Sequence, residues 1–256
     1  YAQPAFASGG EVKVVEGDVN GELQGGVMSP GAMAIEGSDL KVNGNVSGGL
    51  VSDGSTVTVN GNVTGNGIDT VIAKKGTVTV NGTVTATDLS EKTGVLASNG
   101  SNLTVGDTEV GGKESTGVIA ESGSKATAGN VKVSGEYMTG TSACGDSTVH
   151  VKGNVTADGN GMTGVSVHDG DKSSLIVDGD VTATGENSVG IYGETGTIKI
   201  GGDVSGREAV ITKGKADVTV GGSVSGTLVG IVAGGNAAVS VKGDAGTKTG
   251  AGMFVQ

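Results

Sequence analysis

The chain has 256 residues, with 52 glycines, two prolines, three tyrosines, two phenylalanines and no tryptophan, and 35% of its residues are hydrophobic. The regularly placed valines argue against a disordered chain, and the scarcity of aromatic residues predicts a thin interior filled by many small side chains. A formal net charge of −11 argues against binding to nucleic acids or to anionic membranes, and a single cysteine excludes an internal disulfide.

The first nine residues stand apart from the rest of the sequence. Ala5-Phe6-Ala7 precedes a small residue, as at a signal-peptidase site, so residues 1–9 are predicted to be either the remnant of a secretory signal peptide or an N-terminal cap. Residues 10–256 contain no linker and no change of composition, which predicts a single domain. No stretch holds the ~20 uninterrupted apolar residues of a transmembrane helix.

A repeated pattern, V-x-V-x-G-x-V, runs through residues 10–256, as in VTVNGNV at 57–63 and VTVNGTV at 78–84. Valines that alternate with polar residues are typical of a β-strand with one buried side. Alignment on the glycine gives eleven anchors that are about 23 residues apart. The predicted anchors are Gly17, Gly44, Gly61, Gly82, Asp107, Gly135, Gly153, Gly179, Gly202, Gly222 and Gly243.

A second apolar segment follows the anchor in many units, for example at residues 94–97, 117–120 and 230–233. No unit has the periodicity of a helix, and clusters of Gly, Asn, Asp, Ser and Thr separate the strands. One coil per repeat therefore fits best, which predicts an all-β fold, a parallel β-helix (solenoid) of about eleven coils.

Coil geometry gives further expectations. Equivalent residues of successive coils should stack at ~4.8 Å, so the valines of 57–63 should lie beneath those of 78–84, with glycine at a corner and Asn and Thr outward. The unequal coil lengths favour a right-handed helix, in which the extra residues of 107–135 and 153–179 bulge at one corner. Ten steps predict a rod on the order of 50 Å long.

Coils such as 54–65, 75–86 and 215–226 give the sequence a repeat style that resembles right-handed parallel β-helix domains of secreted bacterial surface proteins, including autotransporter passengers. The resemblance covers residues ~10 to 256 and is not specific to one protein. It implies an adhesin, stalk or biofilm factor at the bacterial cell surface, and less often a protease or a polysaccharide-active enzyme. The chain departs from the family in its scarcity of aromatic residues and its lack of a recognisable translocator or sorting segment.

An outward column of acidic residues is the main candidate for a metal or catalytic site. The alignment places Glu136, Asp180, Asp203 and Asp244 in it, with Asp178 two residues before Asp180. Asp178, Asp180 and Asp203 are thus candidate ligands for a divalent cation such as calcium, or the acidic cleft of a polysaccharide lyase or glycoside hydrolase. A solvated acidic edge that keeps the rod soluble explains the same residues without a site, and we favour it.

Histidines and one cysteine are the other reactive side chains. His168 has Ser166 nearby, but closeness in sequence does not give the geometry of a catalytic triad, so His150 and His168 are predicted to be surface residues. Cys144 is predicted to act as a small, buried or half-buried residue without a reactive role. The stretches 158–161 and 169–171 offer oxygen ligands for calcium, although Asp-Gly and Asn-Gly are also typical of tight turns.

Polar ladders are expected along the outside of the coils. The members are Thr58, Thr79, Thr104 and Thr219 in one ladder and Asn43, Asn60 and Asn81 in another, with Lys132, His150, Ile176 and Lys199 interrupting the threonines. These interruptions favour ordinary polar strand faces over a surface that binds ice or a crystalline polysaccharide.

The sequence as a whole predicts a non-catalytic, extracellular structural or adhesive β-solenoid that contacts host or matrix glycans or proteins, with calcium as the only candidate cofactor. The alternatives are a polysaccharide-active enzyme and a self-assembling stalk. Residues 252–256 form a strand with no polar cap after it, so we expect the solenoid to continue or to self-associate at that end.

Overall fold

A computed structural model of the chain describes residues 3–24 and 27–255. These residues form 34 β-strands, no helix is found among them, and all strand pairs are parallel except one hairpin. The strands stack into a parallel β-solenoid of about eleven turns, which confirms the predicted fold class. Each full turn contributes one strand to each of three faces.

The first face is an eleven-stranded parallel sheet that contains the V-x-V segments. Its strands are β2 (Val12–Glu16), β7 (Asp39–Asn43), β10 (Thr56–Val59), β13 (Thr77–Val80), β16 (Asn102–Thr104), β19 (Lys125–Ala128), β22 (Thr148–Val151), β25 (Ser174–Val177), β28 (Thr197–Ile200), β30 (Asp217–Val220) and β32 (Ala238–Val241).

The second face follows the glycine corner in each turn. Its strands are β3 (Val19–Asn20), β8 (Val46–Ser47), β11 (Val63–Asn66), β14 (Val84–Ser90), β17 (Thr108–Lys113), β20 (Val131–Glu136), β23 (Val155–Asn160), β26 (Val181–Thr184), the first halves of β29 (Val204–Thr212) and β31 (Val224–Ala233), and β33 (Ala245–Thr247).

The third face contains the second apolar segments. Its strands are β1 (Ala5–Ala7), β6 (Ala32–Ile35), β9 (Leu50–Asp53), β12 (Val71–Lys74), β15 (Thr93–Ser98), β18 (Thr116–Ala120), β21 (Thr139–Cys144), β24 (Thr163–His168), β27 (Val189–Gly193), the second halves of β29 and β31, and β34 (Ala251–Val255). The remaining strands, β4 (Glu22–Gln24) and β5 (Val27–Ser29), form an antiparallel hairpin between the second and third faces.

The strand register confirms the predicted valine ladder. Val57 pairs with Val78, Val59 with Val80 and Val63 with Val84, and all six side chains are at most 2% exposed. Such columns of β-branched side chains continue along the axis and form one elongated apolar core. The segment Ala5-Phe6-Ala7 belongs to this architecture, because β1 pairs with β6 and buries both of its alanines.

The anchor glycines stand at the corner between the first and second faces, where successive backbones approach closely. A Cβ atom on Gly61 would overlap the carbonyl group of Gly44, so the column requires glycine for lack of space. Two predicted anchors are wrong. The glycines that stack in this column at the fifth and sixth turns are Gly106 and Gly129, rather than Asp107 and Gly135.

The misassigned anchors have a simple cause. In the sixth turn the first-face strand is KATA, with Ala126 and Ala128 inward, so it lacks the V-x-V signature. Val131 and Val133 imitate that signature but belong to β20 on the second face. The interval at this point is therefore 23 residues, between Gly106 and Gly129, and not the long bulge predicted for 107–135.

The extra residues of the middle turns lie at the corner between the second and third faces. There, β14, β17, β20 and β23 are six or seven residues long and enclose a second hydrophobic cluster, apart from the main core. Its members are Ala86, Leu89, Val110, Val133, Met138, Ala157, Met162 and Ala183. The prediction that a single corner absorbs the variation in coil length holds only in part for 153–179, because the loop 169–173 between the third and first faces is also longer than its counterpart 145–147 in the preceding turn.

The third corner, between the third and first faces, consists of tight turns. Asn99-Gly100 and Ser122-Gly123 each place two consecutive residues at positive φ, as in a type I′ turn. A buried serine follows many of these turns, and its hydroxyl accepts a hydrogen bond from the backbone of the preceding turn of the solenoid. Examples are Ser101 N–H to Ser124 Oγ and Ser124 N–H to Ser147 Oγ, both at 3.0 Å.

Candidate functional site

The outward side of the first face is the most regular polar surface of the solenoid. Thr58, Thr79, Thr104 and Thr127 stand in one column on four successive strands. Lys132 was predicted to interrupt this column, and that prediction is wrong, because Lys132 lies on the second face in β20. The threonine column is thus longer than the sequence suggested.

Beyond Thr127 the column becomes chemically mixed. His150, Ile176 and Lys199 follow in register, and then Thr219, as predicted. A parallel column two residues earlier in each strand is also mostly polar, with Thr56 beside Thr77. The first face therefore offers an ordered threonine surface on its third to sixth strands and a chemically mixed surface on the strands that follow.

Asparagine side chains form a ladder of amides beside the threonines. The Nδ2 group of Asn43 donates to Oε1 of Glu16 (2.8 Å), Asn60 donates to Oδ1 of Asn43 (2.7 Å), and Asn81 donates to Oδ1 of Asn60 (2.6 Å). The amides of Asn43 and Asn60 both donate and accept, which fixes their orientation along the axis. The predicted asparagine ladder is confirmed, and these side chains are exposed but ordered.

A second ladder, of Asp, Asn and Ser side chains, follows the anchor glycines, and we call it the corner ladder. In it a side-chain oxygen accepts a hydrogen bond from the backbone N–H of the equivalent residue in the next turn. Donor–acceptor distances are 2.7–3.1 Å over the steps 18–45, 45–62, 62–83, 107–130, 130–154, 154–180, 180–203, 203–223 and 223–244. The ladder joins neighbouring turns by charge-assisted or neutral hydrogen bonds at a corner that has no continuous strand pairing.

The candidate metal ligands Asp180 and Asp203 belong to this corner ladder. They lie in adjacent turns, as predicted, and Asp180 Oδ1 accepts the backbone N–H of Asp203 at 2.7 Å. Asp203 Oδ1 in turn accepts the N–H of Ser223 at 2.8 Å. One oxygen of each carboxylate therefore accepts a backbone hydrogen bond, and both residues are exposed.

Asp178, predicted beside the acidic column, and Glu136, predicted in it, lie outside the corner ladder. Asp178 stands in the column of the amide ladder, and its Oδ1 atom is 3.0 Å from Nε2 of His150. Glu136 was predicted to share the column of Asp180, which is wrong: it ends β20 on the second face, with its carboxylate 4.0 Å from the ammonium group of Lys113. Among residues 3–24 and 27–255, no three His, Cys, Asp or Glu side chains are grouped so as to hold a metal ion.

The two stretches proposed as calcium turns also have structural partners. Asp158 to Asn160 is the end of β23 and not a turn, and Asp158 Oδ1 accepts the hydroxyl of Thr184 at 2.6 Å. Asp171 Oδ1 accepts the hydroxyl of Thr195 at 3.0 Å. Each of these carboxylates links one turn of the solenoid to the next.

His168, Ser166 and Cys144 lie on the third face. Ser166 and His168 project from the same side of β24, and Cys144 is the neighbour of His168 in the preceding turn. Burial raises the pKa of the half-buried Cys144 thiol, and the carboxylates of Glu121 and Asp169 raise it further. A raised thiol pKa keeps the group protonated at neutral pH and lowers its nucleophilicity.

Sequence reasoning missed the corner ladder and the buried serines. The signal for the serines is present as G-S-x-[LV] or a close variant at Ser38, Ser55, Ser101 and Ser124, all of them buried. The signal for the corner ladder is an Asp, Asn or Ser directly after the anchor glycine. Both patterns are visible only after the anchors are correctly aligned.

Comparison of the chain with protein-family models, with curated proteins and with solved structures found no match. None of the described segments is a helix, so none is an apolar helix long enough to cross a membrane. The fold and the polar ladders are accordingly the basis for any functional inference.

Proposed function

We propose that this chain is a non-catalytic, structural or adhesive segment of an extracellular bacterial surface protein. The observation that carries the proposal is the ordered polar surface of the first face, in which threonine and amide columns are held in register over successive turns. Such a surface offers the same hydroxyl and amide groups at a repeat of ~4.8 Å, so an extended partner can be bound at many weak points at once.

Glycans and extended protein segments are the partners that fit this chemistry. Hydroxyl and amide groups form hydrogen bonds with sugar hydroxyls or with a peptide backbone. Because the ladders already order these side chains, binding costs less side-chain conformational entropy. The formal charge of −11 disfavours nucleic acids and anionic membranes as partners. The resemblance of the repeats to secreted bacterial β-helices supports an extracellular location.

Binding assays on immobilised glycans and extracellular-matrix proteins test the proposal. The double variant Thr58→Glu/Thr79→Glu puts two adjacent carboxylates on the first face, and we expect it to weaken binding at least tenfold. The matched control is Thr64→Glu/Thr85→Glu, a pair of adjacent threonines on the second face, which should bind as the wild type does.

Two results would overturn the proposal. One is an absence of binding by the wild-type protein to any of these surfaces. The other is turnover of a polysaccharide, with or without calcium, that disappears in Asp180→Ala, because it would make the acidic residues catalytic.

A further inference from the structure

The third face carries an apolar stripe on its outer surface. The outward residues of its first six strands are Phe6, Met33, Val51, Ile72, Leu96 and Ile119, each in register with the next. Outward side chains of the first face are mostly polar, so this run is not a general property of the solenoid surface. Single exposed apolar residues are ordinary, whereas a contiguous run marks an interaction surface.

The stripe continues toward the other end of the rod. After Ser142 and Ser166, four more outward residues follow in register: Tyr192, Ile211, Val232 and Phe254. Phe6 and Phe254, at the two ends, are 45% and 49% exposed. Twelve strands thus contribute ten apolar or aromatic side chains to one line along the axis.

Charged residues border the stripe two positions further along several of its strands. Asp53 and Lys74 lie in the third and fourth strands of this face, and Glu121, Glu194 and Lys213 follow the sixth, ninth and tenth. On the other side the nearest outward positions in the middle strands are uncharged, and the same column carries Glu208 in the tenth strand; the uncharged residues are Thr93, Thr116, Thr139 and Thr163. The first border therefore has a defined order of charges: minus, plus and minus, and then, beyond Cys144 and His168, minus and plus.

We propose that two copies of this chain associate side by side through the apolar stripe, with their axes antiparallel. In the arrangement that pairs the first strand of one copy with the twelfth of the other, Asp53 faces Lys213 of the second copy and Lys74 faces Glu194. The two-fold axis repeats both contacts, which gives four opposite-charge pairs. Phe6 then lies opposite Phe254 and Ile72 opposite Tyr192.

The charges select this register over its neighbours. A shift of one turn in one direction places Asp53 opposite Glu194, and a shift in the other direction places Lys74 opposite Lys213. Both shifts bring like charges together, although the apolar contacts would be similar in each. The pattern of charges thus supplies the specificity, and the stripe supplies the buried apolar area.

The size of the stripe indicates a weak dimer. Twelve strands at ~4.8 Å and a width of ~10 Å give about 500 Å² per copy, or about 1,000 Å² in total. That area is at the lower limit of specific interfaces and at the upper end of exposed apolar patches on monomers. Association in the micromolar range or weaker follows. It requires neither end of the solenoid, unlike the end-to-end contact that the sequence suggested.

Sedimentation equilibrium from micromolar to millimolar protein tests the association, and small-angle scattering gives its geometry. We expect a monomer–dimer equilibrium in which the dimer keeps the ~50 Å length of the rod, whereas end-to-end contact would double that length. A wild-type chain that stays monomeric, or one that dimerises end to end, overturns the proposal.

Charge reversal tests the register. Lys213→Glu should weaken the dimer about tenfold or more, and adding Asp53→Lys to it should restore most of the affinity. Lys199→Glu makes the same charge change at an exposed position on the first face and should have no effect. If the double variant is no tighter than Lys213→Glu alone, the antiparallel register is wrong.

Removal of apolar surface tests the stripe itself. Ile72→Glu should abolish association over the measured range, while Ile176→Glu, at an outward isoleucine on the first face, should leave it intact. Equal losses in the two variants would show that the stripe is not the interface. Because both isoleucines project outward, the folded state should survive each change, which the circular dichroism spectrum verifies.

Discussion

The early turns and the middle turns of the solenoid solve the same packing problem in different ways. From Gly44 to Gly61 one turn takes 17 residues, whereas the turn from Gly153 to Gly179 takes 26. The main core is alike in both, since the inward columns stay in register throughout. Most of the difference lies at the corner between the second and third faces, and the rest lies at the corner between the third and first faces.

In the turn from Gly44 to Gly61 the corner between the second and third faces is reduced to Gly48-Gly49, both at positive φ, directly between β8 and β9. In the middle turns it expands into longer strands that enclose the second hydrophobic cluster. A solenoid can thus vary its coil length without disturbing its core, provided that the added residues bury apolar side chains of their own. We expect the expanded corner to be the part of the structure most dependent on a few residues.

The largest effect is expected at Gly135, which stacks between Gly112 and Gly159 in the expanded corner. It has φ of 137°, and a Cβ atom would overlap the carbonyl oxygen of Gly112. Gly135→Ala should lower the free energy of unfolding by at least about 3 kcal/mol, measured by urea denaturation. Gly123→Ala is the control, because it also has positive φ but open space around the Cβ, and it should cost about 1 kcal/mol. Equal costs would mean that space at this corner does not matter.

Met138 tests whether the second cluster stabilises the expanded corner. Its side chain is 1% exposed, and Met138→Ala should reduce stability by about 2–4 kcal/mol through lost burial and a cavity. Limited proteolysis should then cut between β20 and β21 before it cuts elsewhere. Met33→Ala removes a half-buried outward methionine from an early turn and should cost less than about 1 kcal/mol. Uniform loss of protection along the chain would show that the corner is not an independent unit.

Thr141 tests whether the buried polar groups in the main core of the middle turns are as well hydrogen-bonded as those of the early turns. It is fully buried between Val118 and Val165, and its hydroxyl has no hydrogen-bond partner within the described part of the chain. Thr141→Val should raise the free energy of unfolding by about 1–2 kcal/mol, since it removes an unsatisfied polar group without a change of shape. Thr108→Val is the matched control, because the buried hydroxyl of Thr108 donates to the carbonyl oxygen of Gly106, and it should give no gain.

The smallest effect concerns Cys144, at the end of a middle strand on the third face. Since burial and the charges of Glu121 and Asp169 raise its pKa, alkylation at pH 8 should be slower than that of an exposed thiol. Glu121→Gln removes one of the charges, so it should lower the pKa and increase the alkylation rate modestly. The rate is measured against pH, and Glu194→Gln serves as a control on the same face. A rate unchanged by Glu121→Gln would show that burial alone controls the thiol.

Much of the fold could be predicted from local pattern, and the failures are instructive. Val57, Val59 and Val63 identified an inward column because β-branched residues at alternate positions have few other stable arrangements. Ala126 and Ala128 occupy the same inward positions, but alanine is a weaker sequence signal for a strand than valine. The anchor at Gly129 was therefore missed. Glu136 was placed in the acidic column for the same reason, since its position followed from the false anchor at Gly135.

The candidate site was likewise predicted only in part from the sequence. Asp180 and Asp203 were correctly placed in adjacent turns, but their hydrogen bonds to backbone N–H groups depend on how each corner is closed. The apolar stripe was not recognised, because its successive positions are separated by 18 to 27 residues and each apolar member looks like an isolated surface side chain. The true register of the third face is required to align them.

The sequence by itself determined that this chain winds as a parallel β-solenoid of about eleven turns with a core of small aliphatic side chains. It could do so because burial of alternate residues is a local property, repeated in every turn. Only the tertiary structure decided which turns share a column, where the extra residues go and which outward side chains form continuous surfaces. Those features depend on the register between strands about 23 residues apart, and one added or missing corner residue changes that register without changing the local pattern.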